Sequence, residues 1–187
     1  ELGAEMRLLQ VDALADEDVV KNPPNRCYYC KRHVFGAIRT AAETDGYPLL
    51  IDGTNASDDA GDRPGRKALQ EMQVLSPLRL CGLTKQDIRE KSREAGLFTW
   101  DKPSYACLAT RFPAGVQITE EGLKKVEQAE GALFDLGFTD FRVRVYHGAA
   151  RIQLPKAQME RALAMRQEIL DKLRPLFEGV FLDLEGR

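Results

Sequence analysis

The sequence predicts an α/β fold in two parts: an α/β region over residues 1–115 and a smaller α+β unit over residues 116–187. Two observations carry this. Up to Gly115, short apolar runs alternate with helical patterns, as in units that build a parallel sheet. After Gly115 the order becomes helix, hairpin, helix and strand, with charge alternating along the hairpin.

The elements follow in order. Arg7–Val11 (RLLQV) reads as a short strand. Residues 19–25 form a polar, proline-broken loop that delivers Cys27 and Cys30. His33–Glu43 has helical spacing, with Val34, Ala37, Ile38 and Ala41 on one face. Tyr47–Ile51 (YPLLI) is a short apolar run between Gly46 and Asp52-Gly53, the pattern of a buried parallel strand. Residues 52–66 (DGTNASDDAGDRPGR) make a long polar loop, a length that points to function or disorder. Ala68–Met72 is helical. Thr84 and Asp87 resemble a capping box opening a helix that stops at Gly96. Residues 101–115 form a second loop. Residues 119–136 give an amphipathic helix ended by Gly137. Phe141–Tyr146 and Arg151–Leu154 form a hairpin turned at residues 147–150. Residues 157–177 are helical, interrupted near Pro175, and Val180–Leu184 is a last strand.

The 187 residues suit one or two domains, and 43% hydrophobic with 30% charged residues is an ordinary globular composition. A formal net charge of -2 gives no basic excess for nucleic acid. No apolar run approaches membrane-spanning length, and the charged start is not a signal peptide. The expectation is a soluble cytoplasmic protein with neither nucleic-acid nor membrane partners.

Four cysteines are present: Cys27, Cys30, Cys81 and Cys107. In a cytosolic chain, close cysteine pairs more often serve metal or redox chemistry than a disulfide framework. Cys27-Tyr-Tyr-Cys30 suits zinc, an iron–sulfur cluster or dithiol redox work, with inert thiols as the bland alternative. His33 extends the pattern toward a zinc set. Lys102 and Arg111 flank Cys107, and both cations favour a thiolate. Cys81, in the apolar context LRLCGL, reads as core. In the long loop, Gly53, Gly61 and Gly65 permit tight turns, and Asp52, Asp58, Asp59 and Asp62 suit magnesium or a ribose. Arg63 and Arg66 suit phosphate or carboxylate. Arg142 and Arg144 share one strand face, with Arg151 opposite and His147 at the turn. That is either an anion site or a solvated face.

Several stretches occur in a characteristic order: NPPNRCYYCK, DGTNASDDAGDRPGR, SPL, GLTKQDIRE, WDKPSYACLATRFPAG and FRVRVYHGAARIQL. Together, from about Leu9 to Leu184, they closely resemble the LarE family of ATP-dependent sulfur transferases. That family belongs to the PP-loop ATP pyrophosphatase superfamily. The resemblance implies a PP-loop parallel-sheet domain of the adenine nucleotide alpha hydrolase type, lacking its N-terminal part, followed by a substrate or oligomerisation domain. It implies adenylation of a carboxylate of pyridinium-3,5-biscarboxylic acid mononucleotide with ATP and Mg2+. Sulfur insertion then gives a thiocarboxylate for nickel-pincer cofactor synthesis.

In this family the cysteine matching Cys107 carries the sulfur. It is either sacrificed or joins two others around a [4Fe–4S] cluster fed by a sulfide source. With Cys27, Cys30 and Cys107 all kept, the chain resembles the cluster branch. The resemblance also sets Asp52, Gly53, Thr54, Asn55, Asp58, Asp62 and Arg63 beside the nucleotide. It puts Glu130, Arg142 and Arg144 near the substrate phosphate or a subunit interface of a trimer or hexamer. Lys102 and Arg111 are candidates to stabilise developing charge.

The family's SGGVDS motif is absent from the sequence. The expectation is a truncated chain without the phosphate cradle, inactive by itself. Two alternatives stand beside this reading: a tRNA-thiolating PP-loop enzyme and a non-enzymatic zinc-binding module.

Overall fold

The computed structural model describes Gly3, residues 5–58 and residues 64–187. The chain divides between Lys102 and Pro103 into two units. Its class is α/β: helices with one small three-stranded mixed sheet.

In the first unit a short helix, α1 (Glu17–Val20), is capped by the side chain of Asp16. Pro23 and Pro24 end the segment after it, and α2 (Arg26–Thr44) begins at once. The helix expected over residues 33–43 therefore starts earlier, and Cys27 and Cys30 ride on its first turns rather than on a loop. Proline disfavours helical backbone in the residue before it but not in the residues after it, so the helix starts where the prolines end. Gly46, with φ 80°, ends α2 in the left-handed conformation that glycine tolerates.

Helix α3 (Pro64–Glu71) packs against α2. The two approach closely at Gly65, where an added Cβ would sit 3.1 Å from the Lys31 side chain and 3.5 Å from Cys27 Cβ. A short α4 (Pro77–Leu80) precedes α5 (Lys85–Glu94). Helix α5 opens with the expected reciprocal capping box between Thr84 and Asp87.

Both strands expected in this unit differ from the sequence reading. Residues 7–11 form no strand, and Arg7 ion-pairs with Asp45 instead. Residues 47–51 form a single parallel bridge, Ile51 to Leu75. Leu75 N–H donates to Leu50 and Asp52 N–H donates to Leu75. Tyr47, Leu49 and Ile51 are exposed, not buried. An apolar run becomes a buried strand only when neighbours supply a ladder and cover its faces. Among the described residues, one bridge is all this run receives.

In the second unit α6 (Glu120–Asp135) is capped by Thr119, whose hydroxyl accepts from Gly122 N–H. Strands β1 (Arg142–Tyr146) and β2 (Ala149–Gln153) form the expected hairpin, with a tighter turn. His147 and Gly148 both have positive φ, as a two-residue primed turn requires. Helices α7 (Met159–Ala164) and α8 (Arg166–Leu173) lead to β3 (Val180–Leu182), which lies parallel to β2.

Register assigns the faces. Val143 pairs with Ile152 and Val145 with Ala150, on the side that carries the core. Arg142 pairs with Gln153 and Arg144 with Arg151 on the other side. Helix α6 packs on β1 and α8, burying Val126, Leu133, Phe138, Phe141 and Leu173.

The division at Lys102/Pro103 lies N-terminal to the expected boundary at Gly115. Residues 103–115 belong with the second unit because their polar and aromatic contacts run there. Tyr105 stacks edge-on to Phe134 at 5.3 Å, and Arg142 donates to Ser104 O at 2.8 Å. Among the described residues, no helix is long and apolar enough to cross a membrane.

Candidate functional site

On α2, Cys27 and Cys30 are separated by about one helical turn and lie on one flank. Cys27 is exposed, Cys30 is half-buried, and neither forms a disulfide. Arg26 points a guanidinium nitrogen at Cys27 Sγ, 3.9 Å away. Cys27 opens onto a cleft of about 730 Å³ lined also by Lys31, Thr54, Asp58, Arg66, Ser76 and Arg79. One turn after Cys27, Lys31 brings a charge to the same wall.

The opposite wall is the start of the long loop, and its polar groups organise it from within. Asp52 accepts from Ser76 Oγ at 2.6 Å, from Thr54 N–H at 3.2 Å and from the Thr54 hydroxyl. Burial pushes the Asp52 carboxyl up, but the hydrogen bonds from Ser76 and Thr54 and the charge of Lys31 outweigh it. The net result is a value below the usual aspartate range. Asp58 accepts from Asn55 N–H at 2.9 Å, and Asn55 Oδ1 accepts from Ser57 N–H. Arg79 donates to Asp58 O at 3.0 Å. Asp52 and Asp58, expected as metal or ribose ligands, thus spend acceptor capacity on the loop itself. Asp59, Gly61, Asp62 and Arg63 lie outside the described residues. Gly53 stands in open space.

In the second unit Cys107 is exposed on the loop before a 3-10 turn, Leu108–Arg111. Two strand arginines grip this loop on either side of the thiol. Arg142 donates to Ser104 O at 2.8 Å and lies over the Tyr105 ring; Arg144 donates to Thr110 O at 2.9 Å. Thr110 donates back to Cys107 O at 2.7 Å.

Arg111, expected beside the thiol as a donor to developing charge, turns inward. It is 2% exposed and forms a two-point pair with Glu130, 2.7 and 3.0 Å. Glu130 also accepts from Val143 N–H at 2.9 Å. Its carboxylate therefore ties the Cys107 loop to β1 from inside, where an isolated charge would be costly. Arg142 is buried as well, and Arg144 keeps an exposed side. Burial first, then the neighbouring charge of Arg111, lowers both guanidiniums from their ordinary value. Such crowding of like charge favours an anion at the exposed edge.

Other expected positions fall elsewhere. Lys102 closes the first unit with its ammonium over the Phe98 ring, 5.1 Å from the centroid. Cys81, read as core, is exposed at the end of α4, where the apolar run around it finds no cover. His33 follows Cys30 round α2. Among the described residues, no three His, Cys, Asp or Glu side chains converge to hold a metal ion. Sequence reasoning missed Lys31, Ser76, Arg79 and Thr110. Lys31 was legible four residues after Cys27, and Ser76 in the SPL stretch. Arg79 and Thr110 act through backbone carbonyls, which leave no mark in a sequence.

No family model matches the sequence. The chain is 38% identical to the uncharacterized protein slr1717 of Synechocystis, over 99% of this chain and 70% of that one. It is 34% identical to the pyridinium-3,5-bisthiocarboxylic acid mononucleotide synthase of Lactiplantibacillus plantarum, over 100% of this chain and 68% of that enzyme. It is 31% identical to the uncharacterized protein MJ0830 of Methanocaldococcus jannaschii, over 98% and 72%.

Proposed function

The chain belongs to the pyridinium-3,5-bisthiocarboxylic acid mononucleotide synthase (LarE) family, and on that premise we propose that it serves sulfur insertion for nickel-pincer cofactor synthesis. The observation that carries the proposal is similarity, over all of this chain and 68% of that enzyme, to a relative so named, in a chain with unbridged thiols at Cys27, Cys30 and Cys107.

The reaction is ATP-dependent sulfur transfer by way of an acyl adenylate. A substrate carboxylate attacks the α-phosphorus of ATP and pyrophosphate leaves. A sulfur nucleophile then adds to the acyl carbon, and AMP departs with the carboxylate oxygen. Sulfur is a strong nucleophile at neutral pH and adenylate a good leaving group, so the two halves match chemically. In a PP-loop domain the Cys27 cleft suits the nucleotide end, with Lys31, Arg66 and Arg79 as cations for phosphate and Mg2+ as counter-ion. Arg144 offers the exposed guanidinium for the phosphate of the pyridinium mononucleotide. Glu130 and Arg111 hold the Cys107 loop through their buried pair.

The thiols fit a [4Fe–4S] cluster by donor type: two lie a turn apart on α2, and the third belongs to the second unit. Held by Cys27, Cys30 and Cys107, as the family resemblance implies, such a cluster would leave one iron for exogenous sulfide. The grouping of all three around it rests on family resemblance.

Anaerobic reconstitution tests this. Roughly four irons and four sulfides are expected per chain, lost on replacing any of the three cysteines. One zinc and no iron would sink the cluster. Mass spectrometry of the product tests the reaction, with ATP and the biscarboxylate mononucleotide supplied to the active enzyme. Cys107→Ala is expected to abolish the thiocarboxylate while pyrophosphate release continues; a wild-type yield of thiocarboxylate would overturn the role of Cys107.

A further inference from the structure

Within the second unit, two aromatic side chains reach the surface in contact with each other on the side of the Cys107 loop. Tyr105, two residues before the thiol, is 47% exposed, and Phe134 of α6 is 41% exposed. Their rings meet edge-on at 5.3 Å, and Phe134 leans in turn on the fully buried Phe141 at 4.7 Å. The pair is therefore anchored in the core at one end and open to solvent at the other. Two residues of extended chain span about 7 Å at most, so the Tyr105 backbone stays within that reach of Cys107.

Tyr105 is held in place before any ligand arrives. The Arg142 guanidinium lies over its ring, 5.8 Å from the centroid, and also donates to the preceding carbonyl, Ser104 O, at 2.8 Å. Arg144 holds the same loop beyond the thiol, at Thr110 O. Binding to a ring already fixed in this way loses little side-chain entropy. The electron-rich ring is thus exposed among cationic neighbours.

Such surroundings sort ligands by their pattern of charge. A purely cationic ring gains from the tyrosine ring but is repelled by the arginines. A purely anionic ring is drawn by the arginines and gains no cation–π contact. A cationic ring that carries anionic groups gains from both. We propose that Tyr105 stacks on the pyridinium ring of the substrate and makes the site select a cationic ring bearing carboxylates. This rests on the sulfur-insertion function proposed above, which supplies the pyridinium.

Calorimetry on the whole chain tests it, with pyridinium-3,5-biscarboxylic acid mononucleotide as the bound probe. N-methylpyridinium-3,5-dicarboxylate and isophthalate serve as competitors, because they place two carboxylates alike and differ in ring charge. On wild type, the pyridinium diacid should displace the mononucleotide at a concentration at least about threefold below that of isophthalate. Tyr105→Leu should weaken the mononucleotide about fivefold and make the two diacids equal. Tyr105→Phe keeps the ring face and should keep the preference. Equal competition by the two diacids on wild type, or a preference that survives in Tyr105→Leu, would overturn this inference and leave sulfur insertion standing. No binding of the mononucleotide to wild type would overturn both.

Discussion

The two units hide their apolar residues very differently. In the first, the buried apolar side chains described are Val19, Ala68, Leu69 and Val74, while Met6, Leu8, Tyr47, Leu49, Ile51 and Leu80 stand exposed. In the second, buried apolar residues recur from Ala109 to Phe177, with Val126, Ala129, Leu133, Phe138, Phe141, Val143 and Leu173 fully enclosed. Each exposed apolar side chain forgoes about 25 cal/mol per Å² of surface that burial would have gained. The second unit has the layered core of a self-sufficient fold; the first is held by the α2–α3 contact and by polar loop bonds. The candidate residues divide accordingly: Cys107 is braced on a rigid sheet, while Cys27 faces a cleft walled by a loop.

The largest expected effect breaks the comparison outright. Residues 103–187 expressed alone should unfold in one cooperative transition, by circular dichroism and by tryptophan-independent near-ultraviolet signals alike. Residues 1–102 alone should bind a hydrophobic dye and melt without a sharp midpoint. The reverse pattern would refute the assignment of stability to the second unit.

Next in size is the brace. Glu130→Gln leaves the Arg111 charge buried without its counter-charge, a loss of about 3–5 kcal/mol. Urea denaturation should register it in the second unit, together with faster hydrogen exchange across residues 104–111. A change under about 1 kcal/mol would mean that Arg111 finds water, and that the pair is not the anchor its geometry indicates.

The smallest effect belongs to Asp52. Its folded carboxyl lies below the ordinary range, so the native state favours the charged form. The stabilisation is therefore present above the unfolded value, near 4, and is lost as pH falls through the lower folded value. Asp52→Asn should be less stable than wild type at neutral pH, and the gap should close in acid. A gap that persists unchanged at low pH would assign the effect to packing rather than to charge.

How much was legible varied with the range of the interaction. The Thr84–Asp87 box, Gly137 at the end of α6 and the 142–153 hairpin were all readable, because each depends on residues close in the chain. The parallel strand at residues 47–51 was not. Its pattern states only that it could be buried, and neighbours decide whether it is. The same limit explains Cys81: an apolar context in sequence is no promise of cover in space. It also explains Arg111, whose position beside Cys107 in the chain suggested a charge for the thiol, while its side chain runs the other way to Glu130.

By itself, then, the sequence determined the chemical inventory: three thiols worth noting, the cationic strand, the DGTN loop, and the caps and turns that follow from local backbone preference. Tertiary structure alone decided how that inventory is used. It placed Lys31, Ser76 and Arg79 beside Cys27, turned Asp52 and Asp58 to loop-building, and spent Arg142 and part of Arg144 on the carbonyls that flank Cys107. The physical reason is that a buried or half-buried polar group must find a partner, and the backbone carbonyls that serve are the same in every residue type.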